Sequence, residues 1–414
     1  MSTVDEQFDV VVVGGGLVGC SLALALAKQP LKIALLEAKE FTASPPDLSA
    51  TAPPPDRALA LSYASIKIFQ TLGVWSQINR FAEPISQVHV SDAGHFGSLR
   101  FRAEDFRIPA LGSVVLASHL LAILQKNVTA QPSIHSLSSV HIEQLSRTTA
   151  GYQLNIRSFQ GQQTLTSKLL VVADGSDSKT RKLLGIAVKE IEYREQALFG
   201  TVGLGSPHFN KAYERFTRSG PLAFLPLAND RCAFVWTVSP ESAQRLMPLA
   251  DDGFCEQLQA AFGYRLGRLQ QLGQRQLYPL RSVFADEQIR SGLVLLGNVA
   301  HTIHPVAAQG FNLSLKDTVA LAQVIIEAVD TGQSPGELVV LEKYLHWREQ
   351  EQKAVRWFTD GLINLFSSRV LPIALLRDLG LCGVDVLPFA KKWVARAGMG
   401  MLGRLPRPVC GISD

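Results

Sequence analysis

Three glycines near the N-terminus have the spacing of a loop that binds a dinucleotide. Gly14, Gly16 and Gly19 follow an apolar run over residues 8–13 and begin a leucine- and alanine-rich segment that reads as a helix over 17–28. The first glycine permits a tight turn, the second lets backbone approach a pyrophosphate, and the third lets the helix pack on the strand. Free N–H groups at the helix start favour phosphate there. The predicted pyrophosphate-binding residues are Gly14, Gly16, Leu17, Val18 and Gly19.

An acidic residue at the end of the next apolar run strengthens this prediction. Residues 31–36 read as a second buried strand, and Glu37 follows it, 18 residues after Gly19. A carboxylate at this place accepts hydrogen bonds from ribose hydroxyls and disfavours a 2′-phosphate. This order of strand, loop, helix, strand and acidic residue favours a ligand site over a glycine-rich turn that binds nothing. It does not distinguish FAD from NAD.

Two later segments have the same form, a buried strand that ends in glycine before a helix. Residues 169–173 run into Asp174 and Gly175, and a helix start with Ser178 and Arg181 follows. Alone, this segment is equally typical of an ordinary turn. The other segment has a strand ending at Gly297, then a loop, then a helix start whose N–H groups would stabilise negative charge on a ring. Its candidate binding residues are Gly297, Asn298, Pro305, Gln309, Gly310, Phe311, Asn312 and Leu313.

In this order and spacing, the three motifs resemble those of the single-Rossmann aromatic hydroxylases, the flavoprotein monooxygenases typified by para-hydroxybenzoate hydroxylase. The resemblance covers most of the chain. It implies that the first motif binds the ADP part of FAD, and that Asp174 and Gly175 serve both FAD and the nicotinamide donor. It also implies that the third motif holds the ribityl chain and flavin ring, and that Arg57 lies near the flavin. Asn298 stands where the family usually has Asp, and since Asn also accepts and donates hydrogen bonds, we expect FAD binding to survive.

Segments 88–95, 215–223, 307–313 and 359–376 are similar to the ubiquinone-biosynthesis branch of this family, which includes the 2-polyprenyl-6-methoxyphenol hydroxylases. This resemblance implies that NAD(P)H reduces FAD and that O₂ then forms a flavin hydroperoxide. The hydroperoxide would hydroxylate a polyprenylated methoxyphenol para to the phenol. Two alternatives stay open: a sister hydroxylase acting on another ring carbon, and a flavin-bound, non-catalytic subunit of a biosynthetic complex.

No residue has a pattern that assigns it a catalytic role. His301 and His304 lie in the third motif, and Tyr193 and Tyr278 lie in the presumed substrate region. A loop hydrogen bond explains the histidines, and core packing explains the tyrosines, more readily than acid or base chemistry does. The nine histidines show neither HxH nor HExxH spacing, so no metal site is expected.

Length and alternation predict an α/β protein with more than one domain. The chain has 414 residues, and the stretch 192–280 alternates strand-like runs with turns. We predict a discontinuous, Rossmann-like FAD-binding domain over 1–75, 98–190 and 285–345. An antiparallel-sheet substrate domain would cover 76–97 and 191–284, and a helical C-terminal region would cover 346–414.

Composition indicates which partners and which compartment the chain suits. Hydrophobic residues make up 47% and charged residues 18%, the net charge is +4, and no basic run carries interleaved aromatics, so nucleic acid is not an expected partner. Five scattered cysteines suit reduced thiols, and there is neither a signal-peptide pattern nor an apolar stretch of about 18 residues. We therefore expect a cytoplasmic protein.

The C-terminal segment 361–402 combines apolar runs with Lys391, Lys392 and Arg396. Such a segment could lie peripherally on the inner membrane, where a polyprenyl substrate resides, or contact a lipid-carrying biosynthetic complex. A helical lid packed on the FAD domain is an equally good interpretation.

Overall fold

The structure, a computed structural model, describes residues 5–42, 56–93, 98–159, 161–217, 219–303, 309–367 and 387–407. Pro305 and His304 lie outside the described residues, as do most of the proline-rich stretch 42–56, which reads as a loop, and residues 368–376 of the segment 359–376. The strands are β1 Asp5–Val13, β2 Ile33–Leu36, β3 Ala58–Ser62, β4 Glu83–Ile85, β5 Gln87–Asp92, β6 Ser98–Arg102, β7 Gly112–Leu116, β8 Ile134–Leu137, β9 His141–Thr148, β10 Gly151–Ser158, β11 Gly161–Val172, β12 Val188–Leu204, β13 Lys211–Thr217, β14 Gly220–Leu227, β15 Arg231–Val238, β16 Leu269–Gln270, β17 Gln276–Ala285, β18 Ile289–Arg290, β19 Leu293–Leu295 and β20 His301–Thr302. The α-helices are α1 Leu17–Leu26, α2 Tyr63–Thr71, α3 Trp75–Ile78, α4 Ala117–Thr129, α5 Lys179–Leu183, α6 Pro240–Leu246, α7 Asp251–Phe262, α8 Gln309–Asp330, α9 Leu338–Ser367 and α10 Pro388–Gly398.

The first sheet brings the three motif-bearing strands side by side. Its order is β18-β19-β11-β1-β2-β8, with β10 and β9 added beyond β11. Strand β1 runs parallel to both β2 and β11, and β11 runs parallel to β19. Val10 and Val12 of β1 face a core built with α1, α4 and α8, whereas Val11 and Val13 face a second core. A parallel sheet covered on both faces requires such continuous apolar strands, which is why residues 8–13 are apolar throughout.

The second sheet contains most of the strands of the predicted substrate domain. Its order is β20-β17-β12-β15-β14-β13-β5-β6, with β16 beside β12, and it is antiparallel except where β13 runs parallel to β5. Helix α7 covers one face, packing Phe254 and Phe262 against Phe234. A third, smaller sheet has the order β3-β7-β4 and is antiparallel.

The predicted α/β class and antiparallel region are confirmed, and several bounds differ. Helix α1 ends at Leu26 rather than Lys28, because Pro30 disfavours helical backbone before it. The predicted domain limits place residues 98–102 with the FAD-binding part, but β6 pairs with β5 in the second sheet. The limits as a whole stay a prediction.

Within residues 338–367 and 387–407, the described C-terminal part contains α9 and α10, and backbone and side-chain contacts hold it to the rest of the fold. Ala64 donates its backbone N–H to Met399 O at 3.0 Å, and Trp347 Nε1 donates to Arg404 O at 3.1 Å. Val394, Ala395 and Met399 pack on Leu99 and Phe101 of β6. In the part of the chain that the structure describes, none of the helices has the length and apolar character needed to cross a membrane.

Candidate functional site

The glycine loop has three glycines with three different surroundings. Gly14 has a φ of 110°, and a Cβ there would lie 2.5 Å from Ala173 O. A Cβ on Gly19 would lie 1.9 Å from Gly14 O, so this glycine lets α1 pack against the loop. A Cβ on Gly16 would meet no atom within 4 Å, because that side of the loop is open. Gly16 precedes α1 without a side-chain cap, and no acidic residue occupies the first turn, so the N–H groups are available to an anion.

Two side chains hold this loop in place. Glu37 Oε2 accepts the Gly15 N–H at 2.6 Å, and its Oε1 accepts the Lys39 N–H at 3.0 Å. Gln125 of α4 donates to Gly15 O at 2.9 Å and accepts the Thr42 N–H at 2.8 Å. Sequence reasoning missed Gln125. The signal was available, since Gln125 is a polar residue at a buried position of an amphipathic helix.

The second motif leaves a polar atom without a described partner. Asp174 Oδ2 accepts the Thr180 N–H at 3.3 Å, whereas Asp174 Oδ1 is buried and has no hydrogen-bond partner among the described residues. Gly175 has a φ of 91° and open space where its Cβ would be. Buried carboxylate oxygens are normally hydrogen-bonded, so Asp174 Oδ1 indicates that a ligand supplies a donor here.

Arg181 connects the second motif to the third. Ser178 accepts the Arg181 N–H at 2.8 Å and so begins α5, as the sequence predicts. The buried Arg181 guanidinium donates to Val299 O at 3.0 Å. This contact fixes the start of α5 against the turn that carries Gly297 and Asn298.

In the third motif, some residues are accessible to a ligand, and others hold the neighbouring elements together. Gly297 has a φ of 74°, and a Cβ there would lie 3.0 Å from Val18 Cγ2, so this turn packs on the first motif. Asn298 is exposed. Asn312 Oδ1 accepts from Ser62 N at 2.9 Å and Ser65 Oγ at 2.7 Å. The Asn312 side chain therefore joins α8 to the start of α2, and Leu313 lies in the core.

Most of the predicted residues line one cavity of about 2160 Å³. Predicted residues on its wall are Gly14, Gly16, Leu17, Val18, Glu37, Arg57, Asp174, Gly175, Asn298, Gln309, Gly310, Phe311 and Asn312. The described ones that do not line it are Gly19, Gly297 and Leu313. Pockets for one drug-sized ligand are about 300–1,000 Å³, so this cavity has room for a dinucleotide and a second molecule.

The opposite wall of the cavity is the second sheet, and it is apolar. Lining side chains from β12, β14 and β15 are Ala197, Phe199, Pro221, Ala223, Leu225, Ala233 and Val235. Tyr193 and Tyr278 also line the cavity. The Tyr193 hydroxyl lies 3.1 Å from Ser282 Oγ, and the Tyr278 ring lies 5.1 Å from the Phe199 ring.

His301 points away from this cavity, into a buried cluster of charges. Its Nε2 lies 2.8 Å from Asp317 Oδ2, and Arg348 Nε donates to Asp317 Oδ1 at 2.6 Å. Arg348 also bonds Glu351, which pairs with Lys316, whose Nζ donates to Gly400 O at 3.0 Å. The cluster joins His301 of β20 to α8, to α9 and to the residues that follow α10. We therefore assign His301 a structural role rather than a catalytic one.

The residues present fit the predicted FAD. The uncapped α1 and the open side of Gly16 suit a pyrophosphate, and the free lone pairs of Glu37 face the same cavity. The open side of Gly175 and the unpaired Asp174 Oδ1 suit the polar part of a bound cofactor.

Comparisons with known proteins agree with this geometry. A family model described as "FAD binding domain" matches residues 7–358. The chain is 37% identical to the protein named "Uncharacterized protein slr1300" of Synechocystis sp., covering 100% of this chain and 98% of that one. It is 30% identical to the "Ubiquinone hydroxylase UbiL" of Rhodospirillum rubrum, with 98% and 92% covered. It is 28% identical to the "3-demethoxyubiquinol 3-hydroxylase" of Escherichia coli, with 96% and 100% covered.

The fold is also similar to solved structures. The crystal structure of p-nitrophenol 4-monooxygenase PnpA from Pseudomonas putida superposes with a TM-score of 0.78 at 16% identity, covering 97% of this chain and 99% of that one. At this identity the likeness concerns the fold alone.

Proposed function

Because the chain belongs to the FAD binding domain family, its predicted cofactor is confirmed, and we propose that it is an NAD(P)H-using monooxygenase of ubiquinone biosynthesis. The substrate is a polyprenylated methoxyphenol, hydroxylated para to the phenol. One observation carries this proposal: the cofactor-binding loops and an apolar sheet face line the same large cavity. Relatives named as ubiquinone-pathway hydroxylases support the substrate class.

Each motif has a proposed role toward FAD. The start of α1 and Gly16 bind the pyrophosphate, and Glu37 binds the ribose. Asp174 and Gly175 bind the polar part of FAD that connects its adenosine half to its flavin half. Asn298, Gln309, Gly310 and Phe311 hold the flavin end, with Arg57 nearby. When bound, FAD supplies a hydride acceptor and a means to activate O₂.

The second sheet has a proposed role toward the substrate. Phe199, Ala223, Leu225, Ala233 and Val235 present an apolar surface with small side chains, which leaves depth for a flat ring. Apolar walls exclude water from the reacting atoms and accommodate a prenyl chain. The chain itself positions the ring and keeps the site dry, because the oxidising chemistry belongs to the cofactor.

Product analysis tests the proposal. Purified, FAD-loaded protein is given NADPH, O₂ and a short-prenyl methoxyphenol, and the product is identified by mass spectrometry with fragmentation. We expect one added oxygen on the carbon para to the phenol. Unchanged substrate in the presence of bound FAD would contradict the proposal.

A second candidate is a sister hydroxylase that acts on another carbon of the same ring. The relative named 3-demethoxyubiquinol 3-hydroxylase motivates it, since that name specifies a different ring position. Deleting the gene and identifying the intermediate that accumulates distinguishes the two. Accumulated methoxyphenol supports para hydroxylation, and accumulated demethoxy quinol supports the sister activity.

A third candidate is a flavin-bound subunit without its own activity. The absence of a sequence pattern for a catalytic residue motivates it. NAD(P)H oxidation stimulated by a prenylphenol, with product formed, excludes this candidate.

We also propose that α10 contacts a membrane surface. Its inner face packs on β6, and Trp393 lines the cavity, so the helix lies at the cavity wall. Phe389 and Trp393 are 84% and 54% exposed, and Lys392 and Arg396 are exposed on the same helix. Exposed aromatics beside basic residues suit an anionic bilayer, from which a polyprenyl substrate would enter.

A further inference from the structure

Two carboxylate residues of the second sheet line the cavity, the exposed Glu192 of β12 and the half-buried Glu214 of β13, and Glu214 is the one that lies among apolar strands. Side chains alternate along β13, so Ala212, Glu214 and Phe216 face the cavity together. Their neighbours face α7: the Tyr213 ring meets the Phe262 ring edge-on at 5.4 Å, and Arg215 Nε donates to Ala261 O at 3.2 Å. Strand geometry therefore aims Glu214 at the cavity.

The surroundings of Glu214 are apolar on both sides. Ala223 of β14 and Val90 of β5 are its partners in register, and both line the cavity. Among the described residues, no hydrogen bond or ion pair to the Glu214 carboxylate is present. The Glu214 side chain is half-buried by its exposed surface, so its carboxylate can be reached from the cavity and is placed to meet a partner on a ligand.

The other titratable groups around β13 lie on the α7 side of the sheet, except Asp92, which shares the face of Glu214 but lies beside Phe216 and does not line the cavity. His89 and Arg215 lie on the α7 side of the sheet, as do the acids of α7. Asp92 of β5 is opposite Phe216 in register and is buried. Burial raises the pKa of Glu214 to about 7, because the ionised carboxylate loses water without gaining a cation.

We propose that Glu214 is the base that accepts the phenol proton of the substrate during hydroxylation. This inference rests on the proposed function and adds the catalytic residue that sequence reasoning could not assign. The phenolic O–H bond breaks, its electron pair stays on oxygen, and the proton forms an O–H bond with the carboxylate. The phenolate then donates electron density to the ring carbons ortho and para to it. Once oxygen is attached, the attacked carbon releases its hydrogen as a proton to water, and the C–H electron pair restores the aromatic ring. The phenolic oxygen then takes back the proton held by Glu214, which returns to its carboxylate form.

The chemistry suits this group better than an ordinary surface carboxylate. A phenol has a pKa near 10, and proton transfer is more effective when the pKa of the base lies closer to that of the acid and to the operating pH. The apolar surroundings raise the basicity of Glu214 toward that range. Contact with the phenol makes Glu214 a catalytic residue rather than a positioning one.

The pH profile of hydroxylation by the FAD-loaded enzyme tests the proposal. For wild type we expect kcat/KM to rise with pH through a midpoint near 7, because the base must be ionised. Glu214→Gln should lower the rate about 10²–10⁴-fold and abolish this midpoint, and Glu214→Asp should restore part of both. Glu256→Gln, an exposed acid on α7, is the matched control and should change neither.

An already acidic substrate provides a second readout. A prenylphenol with fluorine on its remaining ortho and meta carbons has a lower phenol pKa, so a much larger fraction of it is already ionised in solution and it depends less on the base. The ratio of wild-type to Glu214→Gln rates should fall at least tenfold with it, whereas a purely structural role would leave the ratio unchanged. An unchanged pH profile in Glu214→Gln, or equal ratios for both phenols, would overturn the inference.

Thermal unfolding gives a readout that needs no activity. The carboxyl has a higher pKa folded than unfolded, so its ionisation destabilises the fold as pH rises through about 7. Glu214→Gln should therefore melt higher than wild type at pH 8, with the gain fading toward pH 4.5. A lower melting temperature at pH 8 would show that Glu214 has a structural partner and would overturn the inference. Failure of wild type to form product would instead refute the proposed function, and the melting comparison would still report on Glu214.

Discussion

Gly16 and Gly19 are the same residue type, required for opposite reasons. At Gly16 the space beside the backbone is open to the cavity, and at Gly19 it is filled by Gly14 O. The first glycine makes room for a ligand, and the second makes room for the protein itself. Substitution with alanine should therefore affect binding at one position and folding at the other.

We predict that Gly16→Ala folds normally and binds FAD at least tenfold more weakly. Its φ of −77° suits any residue, and the change at a helix start should cost no more than about 1 kcal/mol of unfolding free energy. A tenfold loss corresponds to about 1.4 kcal/mol of binding free energy. Flavin fluorescence titration measures the affinity, and thermal unfolding of the apoprotein measures the stability.

Gly19→Ala is the matched control. A Cβ at 1.9 Å from Gly14 O forces α1 away from the loop, so we expect a clear loss of stability. Equal FAD affinity in Gly16→Ala and wild type would refute the assignment of the pyrophosphate to this loop.

At the scale of residues, sequence reasoning could identify those whose type alone reports their role. The glycine spacing and Glu37 are of this kind. Asn312 and Gln125 are not, because their roles depend on which distant backbone groups fold against them: Ser62 for the first and Gly15 for the second. Glu214 was missed for the same reason, since only the pairing of β13 with β5 and β14 shows what surrounds it.

At the scale of elements, the buried charges between α8 and α9 set how the helical region docks. Although burial raises the pKa of Asp317, the Arg348 guanidinium and the His301 hydrogen bond hold it below its usual value of 3.8. A lowered pKa contributes stability that is present above the unfolded value and is lost as pH falls below it.

We predict that Arg348→Met destabilises the protein by about 3–5 kcal/mol at pH 7, because it leaves Asp317 ionised, buried and without its main partner. The difference from wild type should be smaller at pH 4 than at pH 7, because burial without Arg348 raises the pKa of Asp317 in the variant, and protonation then removes the uncompensated charge. Lys353→Met is the control on the same helix, since its pair with Glu349 is exposed and is worth about 0–1 kcal/mol. Denaturant unfolding at pH 7 and pH 4 checks both, and equal losses in the two variants would contradict this account.

The exposed aromatic side chains of α10 lead to a separate prediction about membrane contact. Replacing Phe389 and Trp393 together with serine should lower binding to vesicles of phosphatidylcholine and phosphatidylglycerol at least tenfold. Burying an aromatic side chain contributes about 1.5–3 kcal/mol, so losing two exceeds the 1.4 kcal/mol that corresponds to tenfold. Vesicle sedimentation measures the bound fraction.

Phe209→Ser is the matched control, because Phe209 is 69% exposed and lies before β13 rather than on α10. We expect it to bind vesicles as wild type does. If the double variant also binds as wild type does, α10 is not the membrane contact, and a protein partner becomes the better explanation for its exposed aromatics.

At the scale of elements, periodicity predicted the long helices and a meander, but it did not predict which sheet every strand joins. Residues 140–147, 152–158 and 163–172 read from their sequence as three strands of a meander, and they appear as β9, β10 and β11. Residues 228–231 read as a turn, and the structure has a φ of 62° at Asn229 and 49° at Asp230. The place of β6 in the second sheet was not predictable, because an apolar alternation does not indicate which neighbour a strand pairs with.

At the scale of the whole molecule, one cavity joins elements that are far apart in the chain. The first sheet contributes the loops after β1 and β11, and the second contributes a face that includes six strands, which are β5, β6, β12, β13, β14 and β15. The parallel pairing of β13 with β5 closes that face. No local pattern predicts such a long-range pairing, so the size and apolar character of the cavity could only come from the fold.

The proposed function requires that one oxygen atom of O₂ be transferred to a phenol ring within this cavity. The most direct test supplies FAD-loaded protein with NADPH, ¹⁸O₂ and a short-prenyl methoxyphenol in ordinary water, and measures the mass of the product. We predict a single ¹⁸O atom in the ring para to the phenol, in amounts that follow NADPH consumption. Consumption of NADPH without labelled product, or a product whose new oxygen comes from water, would contradict the account.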